Sequence, residues 1–122
     1  MAKKKNTSNS LPTNEQVQKY EMFNKMFESL FTELKSLSAK KPDEPLNKFK
    51  VQTINRILKE LKVILGAQPT LGFLDLLDED SIPTNSDAVL ILSQFKAALK
   101  HFHDSYFEYD GFEHRWRTKE NP

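Results

Sequence analysis

The sequence predicts an all-α fold, a bundle of three long helices with one additional short helix. Apolar residues recur every three or four positions along three separate stretches, which is the spacing of one face of a helix. A length of 122 residues suits a single domain with one modest core. The stripes are Tyr20, Phe23, Phe27, Leu30, Leu34 and Leu37; Val51, Ile54, Leu58, Leu61 and Leu65; and Leu92, Phe95, Leu99, Phe102, Tyr106 and Tyr109.

The N-terminal segment is expected to be a disordered basic tail that precedes the first helix. Residues 1–12 combine three consecutive lysines with small polar residues, and such a segment buries too little apolar surface to become ordered. Thr13 and Gln16 then have the spacing of a capping box, in which two side chains bond to backbone N–H groups at a helix start. The first helix is therefore expected at about residues 14–38.

Prolines and a glycine mark the limits of the middle elements. Pro42 cannot continue the first helix, whereas Pro45 suits the first position of the second helix, which is expected at about residues 45–65. Gly66 is free to adopt the left-handed conformation that closes a helix. The leucine-rich piece that follows predicts one short helix at about residues 70–78.

The last long helix is expected at about residues 85–109. Thr84 and Asp87 repeat the capping pattern, and a glycine stands just beyond the final apolar position. The chain should therefore divide into a helical domain at residues 13–110 and an aromatic, basic C-terminal tail at residues 111–122.

Composition argues against several classes of function. The 18 basic and 17 acidic residues nearly balance, so no overall field drives the chain onto nucleic acid or an anionic membrane. The chain has no cysteine, which removes disulfides, thiolate nucleophiles and cysteine-ligated metals. A secretory signal and an apolar run of membrane-spanning length are both missing from the sequence. These features predict a cytoplasmic protein with no membrane partner.

The polar residues do not predict an enzyme. His101, His103 and Asp104 belong to the densest polar group, but residues two apart on a helix diverge by about 200°, so the two histidines cannot share a metal ion. A hydrolase with acidic metal ligands around Asp104 and Glu108 remains a weaker alternative. The three glycines are never paired and provide no phosphate-binding loop. We therefore expect no catalytic residue, metal ion, cofactor or small-molecule substrate.

The main functional hypothesis is a non-enzymatic protein–protein interaction module, acting as a homodimer or as a small subunit of a larger assembly. Each predicted helix has apolar residues beside its main stripe and therefore needs more than one neighbour. Those that stay exposed would form a partner surface, unless the short helix and the C-terminal tail cover them. The candidate interface residues are Met22, Leu90, Phe107, Phe112 and Trp116.

The alternative hypothesis is an accessory nucleic-acid-binding protein. The polar side of the second helix is basic, and the C-terminal tail holds a tryptophan between two arginines, a ring that could stack on an unpaired base. The acidic stretch from Asp75 to Asp80 could instead neutralise the basic helix. The candidate contacts are Lys48, Arg56, Lys59, Lys62, Arg115, Trp116 and Arg117.

Overall fold

A computed structural model describes residues 10–122 and shows a mostly helical protein. Within this range the prediction of three long helices is confirmed. The elements in chain order are α1 (Asn14–Lys40), α2 (Lys48–Ile64), a short 3₁₀ helix (Pro69–Phe73), α3 (Asn85–Tyr106), β1 (Phe107–Tyr109) and β2 (His114–Trp116).

Helices α1 and α3 both begin at the predicted capping boxes. Gln16 donates its backbone N–H to Thr13 Oγ1 at 3.0 Å, and Thr13 donates its own N–H to Gln16 Oε1 at 3.3 Å. Thr84 and Asp87 make the equivalent pair of bonds at 3.1 and 3.0 Å. These bonds satisfy N–H groups that have no partner within the helix, so each helix start is fixed locally by sequence.

Helix α2 begins three residues later than predicted. Asn47 is its N-cap, because its Oδ1 accepts the backbone N–H of Lys50 at 2.8 Å. Pro45 does not start the helix and instead forms an isolated antiparallel bridge with Thr84. The loop before α2 is thus tied to the start of α3. Helix α1, in turn, continues to Lys40, two residues beyond its predicted end.

The prediction of a helix at about residues 70–78 is right only for its first part. The 3₁₀ helix ends at Phe73, and no helix or strand follows until α3. The cause is the buried side chain of Asn55, whose Nδ2 donates to the carbonyl of Leu77 and whose Oδ1 accepts the N–H of Leu77, both at 2.9 Å. The backbone of Leu77 is thereby bonded to α2 instead of to helical neighbours. Leu74 and Leu77 are both buried beside this clamp.

The core lies between α1 and its two neighbours, since α1 packs against both α2 and α3. Phe27 of α1, Leu58 of α2 and Phe95 of α3 are completely buried. No helix within residues 10–122 is long and apolar enough to cross a lipid bilayer.

Leu11 and Pro12 are part of this packed structure. Leu11 is 2% exposed, Pro12 is fully buried, and the Pro12 carbonyl accepts the N–H of Lys119 at 2.8 Å. The predicted boundary of the N-terminal tail at residue 12 is therefore too late. Residues 1–9, which carry the rest of that prediction, lie outside the described residues.

The C-terminal residues form an antiparallel hairpin instead of a continuing helix and a tail. Helix α3 ends at Tyr106, three residues before its predicted end, because Phe107 adopts an extended conformation and pairs with Trp116. Gly111 has a φ of 106°, a left-handed conformation that glycine adopts without strain, and it makes the turn. The Asp110 carboxylate accepts the N–H groups of Glu113 and Phe112 across this turn, and these bonds hold the pKa of Asp110 below its usual value.

Candidate functional site

An open apolar groove lies between α1 and α2. It consists of two adjoining cavities of about 170 and 420 Å³ that meet at Thr53. The cavities place Leu37 beside Leu46 at one end and Phe23 beside Glu60 at the other, so the two helices run antiparallel along the groove. We use the name α1–α2 groove for the surface formed by Phe23, Met26, Leu30 and Leu37 of α1 and by Thr53 and Ile57 of α2.

Two rows of apolar residues on α1 explain why this groove exists. The row that contains Phe27 and Leu34 is buried in the core. A second row, Phe23, Leu30 and Leu37, repeats at the same interval of seven, is partly buried at the margin of the core and lines the groove. At 1.5 Å per residue, this second row extends for about 21 Å along the helix. Helix α1 therefore presents one apolar row to the centre of the core and another to its margin, where the groove opens.

Exposed apolar side chains enlarge the groove at its edges. Met26 is 47% exposed and Phe49 is 74% exposed. Met22 is also exposed and lies four residues before Met26, hence on the same side of α1. Single exposed apolar residues are ordinary on protein surfaces, but here they adjoin an apolar floor, which is more typical of a binding surface.

Charged side chains of both signs line the groove. Helix α2 contributes Lys50, Arg56 and Lys59, all exposed, and none of these forms an ion pair with another residue in the range 10–122. The acidic side chains are Glu33 on α1 and Glu60 at one end of α2.

The five predicted interface residues lie in different places. Met22 is exposed on α1, one turn before Met26, while the exposed Leu90 lies on α3 beside a separate depression. Phe112 is 93% exposed at the tip of the hairpin. Phe107 and Trp116 are half-buried partners in the hairpin, with ring centroids 5.4 Å apart. The structure thus brings together only Phe107 and Trp116, and it shows them packed within the chain.

The groove residues themselves were missing from the predicted interface. Sequence reasoning placed Phe23, Leu30 and Leu37 in the main stripe of the first helix, together with Phe27 and Leu34. The signal that separates them is the spacing of seven within each row, which puts the two rows on different lines along the helix surface. Which of the two rows lies at the margin of the core depends on where α3 packs.

The predicted nucleic-acid contacts divide between exposed and internally bonded residues. Lys48, Arg56 and Lys59 are exposed on α2, whereas Lys62 donates from Nζ to the carbonyl of Leu74 at 2.8 Å. The acidic stretch that starts at Asp75 makes no ion pair with α2 among the described residues.

The basic residues of the C-terminal segment are engaged within the chain. Arg115 donates from Nε to Asp110 at 3.0 Å, and Arg117 lies 3.5 Å from the Glu108 carboxylate. The Trp116 ring is 5.2 Å from the ring of Tyr20 between centroids, and its Nε1 donates to Glu21. A base-stacking role for this segment stays a prediction. In the described conformation the Trp116 ring packs against Tyr20 instead of being held between Arg115 and Arg117.

A polar cleft between α1 and α3 has its charges already paired. Lys96 contacts Glu28 at 2.9 Å, and Lys100 contacts Asp104 at 3.0 Å. Hydrogen bonds from Lys100 and His103 keep the pKa of Asp104 below its usual value. Burial raises the pKa of Tyr20 to about 12, so its hydroxyl keeps its proton and donates to the Leu99 carbonyl.

The residues proposed for the hydrolase alternative do not form a recognisable metal site in the described part of the chain. Asp104 and Glu108 each contact a basic side chain, Lys100 and Arg117 respectively. Within residues 10–122, no group of three or more histidine, aspartate and glutamate side chains is arranged to hold a metal ion.

Comparison with known proteins leaves the groove as the main guide to function. Searches against protein-family models, curated proteins and solved structures each gave no match to this chain.

Proposed function

We propose that this protein is a non-enzymatic protein–protein interaction module whose working surface is the α1–α2 groove. It would act as a homodimer or as a small subunit of a larger assembly. The observation that supports this proposal is the partly buried row Phe23, Leu30 and Leu37, which lines the groove at the margin of the core. Cytoplasmic location is part of the same proposal, and its support is the cysteine-free composition.

The energetic reason is the hydrophobic effect. Burial of apolar surface stabilises a complex by roughly 25 cal/mol for each Å² removed from water. Phe49 and Met26 are large side chains that gain little from this effect in the isolated chain, since both are exposed. A partner that covers them together with the groove floor would bury one continuous apolar surface, and such surfaces form the centres of stable interfaces.

Charged substitutions at the edge of the groove should weaken association without unfolding the protein. We expect Met26→Asp combined with Phe49→Asp to weaken binding at least tenfold, because two carboxylates would have to be buried against apolar surface. Affinity purification from the native host, together with size-exclusion chromatography and light scattering, measures both association with other proteins and self-association.

The matched control is Phe73→Asp. Phe73 is 76% exposed, close to the 74% of Phe49, but it lies in the 3₁₀ helix and not in the groove. The control variant should keep every partner of the unchanged protein. Loss of the same partners in the Phe73 variant, or their full retention in the groove variant, would contradict the proposal.

A further inference from the structure

We infer that a depression at the start of α3 binds an arginine side chain of a partner protein. This surface shares no lining residue with the α1–α2 groove, so the site is independent of the proposed function. It includes the exposed Leu90, which the sequence predicts to be an interface residue. We use the name acidic depression for the surface formed by Leu76, Asp78, Pro83, Asp87, Leu90 and Ile91.

The walls of the acidic depression are mostly apolar and come from two parts of the chain. The segment after the 3₁₀ helix contributes Leu76 and Pro83, and α3 contributes Leu90 and Ile91. The cavity volume is about 290 Å³. A water molecule occupies about 30 Å³ in the liquid, so the cavity has room for a side chain. An occupant needs an aliphatic portion that can cover these walls.

The charged side chains that line the acidic depression are both acidic, Asp78 and Asp87. The surrounding chain, residues 63–95, contains no lysine, arginine or histidine, and its acidic residues are Asp75, Asp78, Glu79, Asp80 and Asp87. None of these forms an ion pair with a basic side chain in the range 10–122. The N-terminus of α3 supplies about half a positive charge, which offsets only part of the two carboxylates. The depression therefore keeps a negative charge that a cation can neutralise.

Both carboxylates are held in place, and each keeps one oxygen for a ligand. Asp87 Oδ2 accepts the backbone N–H of Thr84 at 3.0 Å as part of the helix cap, and Asp78 Oδ1 accepts that of Asp80 at 2.9 Å. The second oxygen of each carboxylate has no hydrogen-bond partner among the described residues. Because the two side chains are already ordered, a ligand that bonds to them loses less conformational entropy on binding.

This combination of apolar walls and carboxylates matches an arginine side chain. The methylene groups of arginine can cover apolar walls while the guanidinium group reaches the carboxylates and water. The guanidinium stays charged at neutral pH and has five N–H donors, so it can donate to more than one oxygen. A purely apolar ligand would leave Asp78 and Asp87 without a partner, and the phosphates of a nucleic acid would be repelled by them.

The basic N-terminal segment of the same chain is a poor occupant. Its three lysines, at positions 3–5, precede Ser10, whose carbonyl accepts the Tyr106 hydroxyl at 3.2 Å at the far end of α3. Asp87 and Tyr106 are about 28 Å apart along this helix at 1.5 Å per residue. Five to seven residues of fully extended chain span only about 17–25 Å. An arginine from another molecule meets no such limit.

Two short synthetic peptides that differ at one residue provide the test. Both have a central residue between two leucines, and this residue is arginine in one peptide and citrulline, an uncharged analogue of nearly the same shape, in the other. Backbone amide chemical shifts of the full chain, measured by NMR during titration, should show about tenfold tighter binding of the arginine peptide, because its hydrogen bonds to the carboxylates are charge-assisted. The shift changes should be centred on residues 76–91, and the preference should decrease as salt is raised.

Removal of the two lining charges should remove this preference. The test variant is Asp78→Asn combined with Asp87→Asn, in which each amide oxygen can still accept the backbone N–H, so the helix cap and the fold should be retained. The matched control is Asp75→Asn combined with Asp80→Asn. It makes the same change in net charge in the same segment, at exposed residues that do not line the acidic depression. The control should keep the preference for the arginine peptide.

Several results would overturn the arginine site. Equal binding of both peptides, or binding of neither, is one of them. An equal loss of preference in the test and control variants is another, because the general acidity of the segment would then explain the binding. Self-association that is lost in Arg56→Gln, with neither peptide bound, would favour a second copy, since Arg56 is exposed. The groove variant, Met26→Asp combined with Phe49→Asp, should keep the arginine preference, and its loss there would contradict a separate site.

Discussion

Replacement of Phe27 by alanine is expected to lower the free energy of unfolding by about 3–5 kcal/mol. Phe27 is 0% exposed, and its ring stacks on that of Phe31 with centroids 5.6 Å apart. Removal of the ring leaves a cavity in the core beside the middle of α1. The two helices that pack against α1 limit how far the structure can collapse into this cavity. Urea unfolding followed by circular dichroism measures this loss.

The matched control for this prediction is Phe49→Ala. The same atoms are removed there, but Phe49 is exposed at the edge of the groove, so the change in stability should stay within about 0.5 kcal/mol. Equal losses for the two variants would contradict the assignment of the Phe27 row to the core and of the Phe49 side to an open surface.

Replacement of Trp116 by alanine is expected to cost about 2–4 kcal/mol, less than a fully buried tryptophan because the ring is only half-buried. The ring lies 5.2 Å from Tyr20 and 5.9 Å from Phe102 between centroids, and its Nε1 donates to Glu21 at 3.1 Å. These contacts attach the hairpin to α1 and α3. The measurement is the urea unfolding curve of the variant by circular dichroism.

Phe112→Ala is the matched control in the same hairpin, because Phe112 lies exposed at its tip and should contribute little to stability. Trp116 is the chain's single tryptophan, so its fluorescence reports directly on whether the hairpin is docked. A Trp116→Ala variant as stable as the unchanged protein would show that residues 111–122 behave as the tail that the sequence predicts.

The helices were predictable because their signals are local. Thr13 with Gln16 and Thr84 with Asp87 satisfy backbone groups within one turn, so their spacing alone locates two helix starts. The start of α2 was misplaced because Pro45 and Asn47 are both suitable near a helix start. The competition between them is decided by the bridge from Pro45 to Thr84, a contact that the spacing of residues along the chain does not reveal.

The regions that sequence reasoning missed depend on contacts between distant residues. The segment after the 3₁₀ helix is irregular because Asn55 bonds to Leu77, 22 positions away. The hairpin is stabilised because the Trp116 ring packs against Tyr20 and Phe102. Its strands of three residues are too short to show a clear alternation of apolar and polar residues in the sequence.

The interface residues predicted from the sequence do not locate the groove. Met22 and Leu90 are exposed, as the surplus of apolar residues on each helix indicated, and their role in binding stays a prediction. The floor of the groove belongs to residues that the sequence assigned to the core, since Phe23 and Phe27 are equally apolar. Only the packing of α3 shows which row lies at the margin of the core, and Tyr20, seven residues before Phe27, contacts Phe102 of α3.

The central claim is that the α1–α2 groove is the surface through which this protein binds its partner. Backbone amide chemical shifts test it most directly, measured by NMR while the partner captured from the native host is added to the full chain or, for a homodimer, across a dilution series. We expect the largest shift changes at residues 22–37 of α1 and 49–60 of α2, with little change in the hairpin. Changes centred on residues 107–116, or on the cleft between α1 and α3, would contradict the claim.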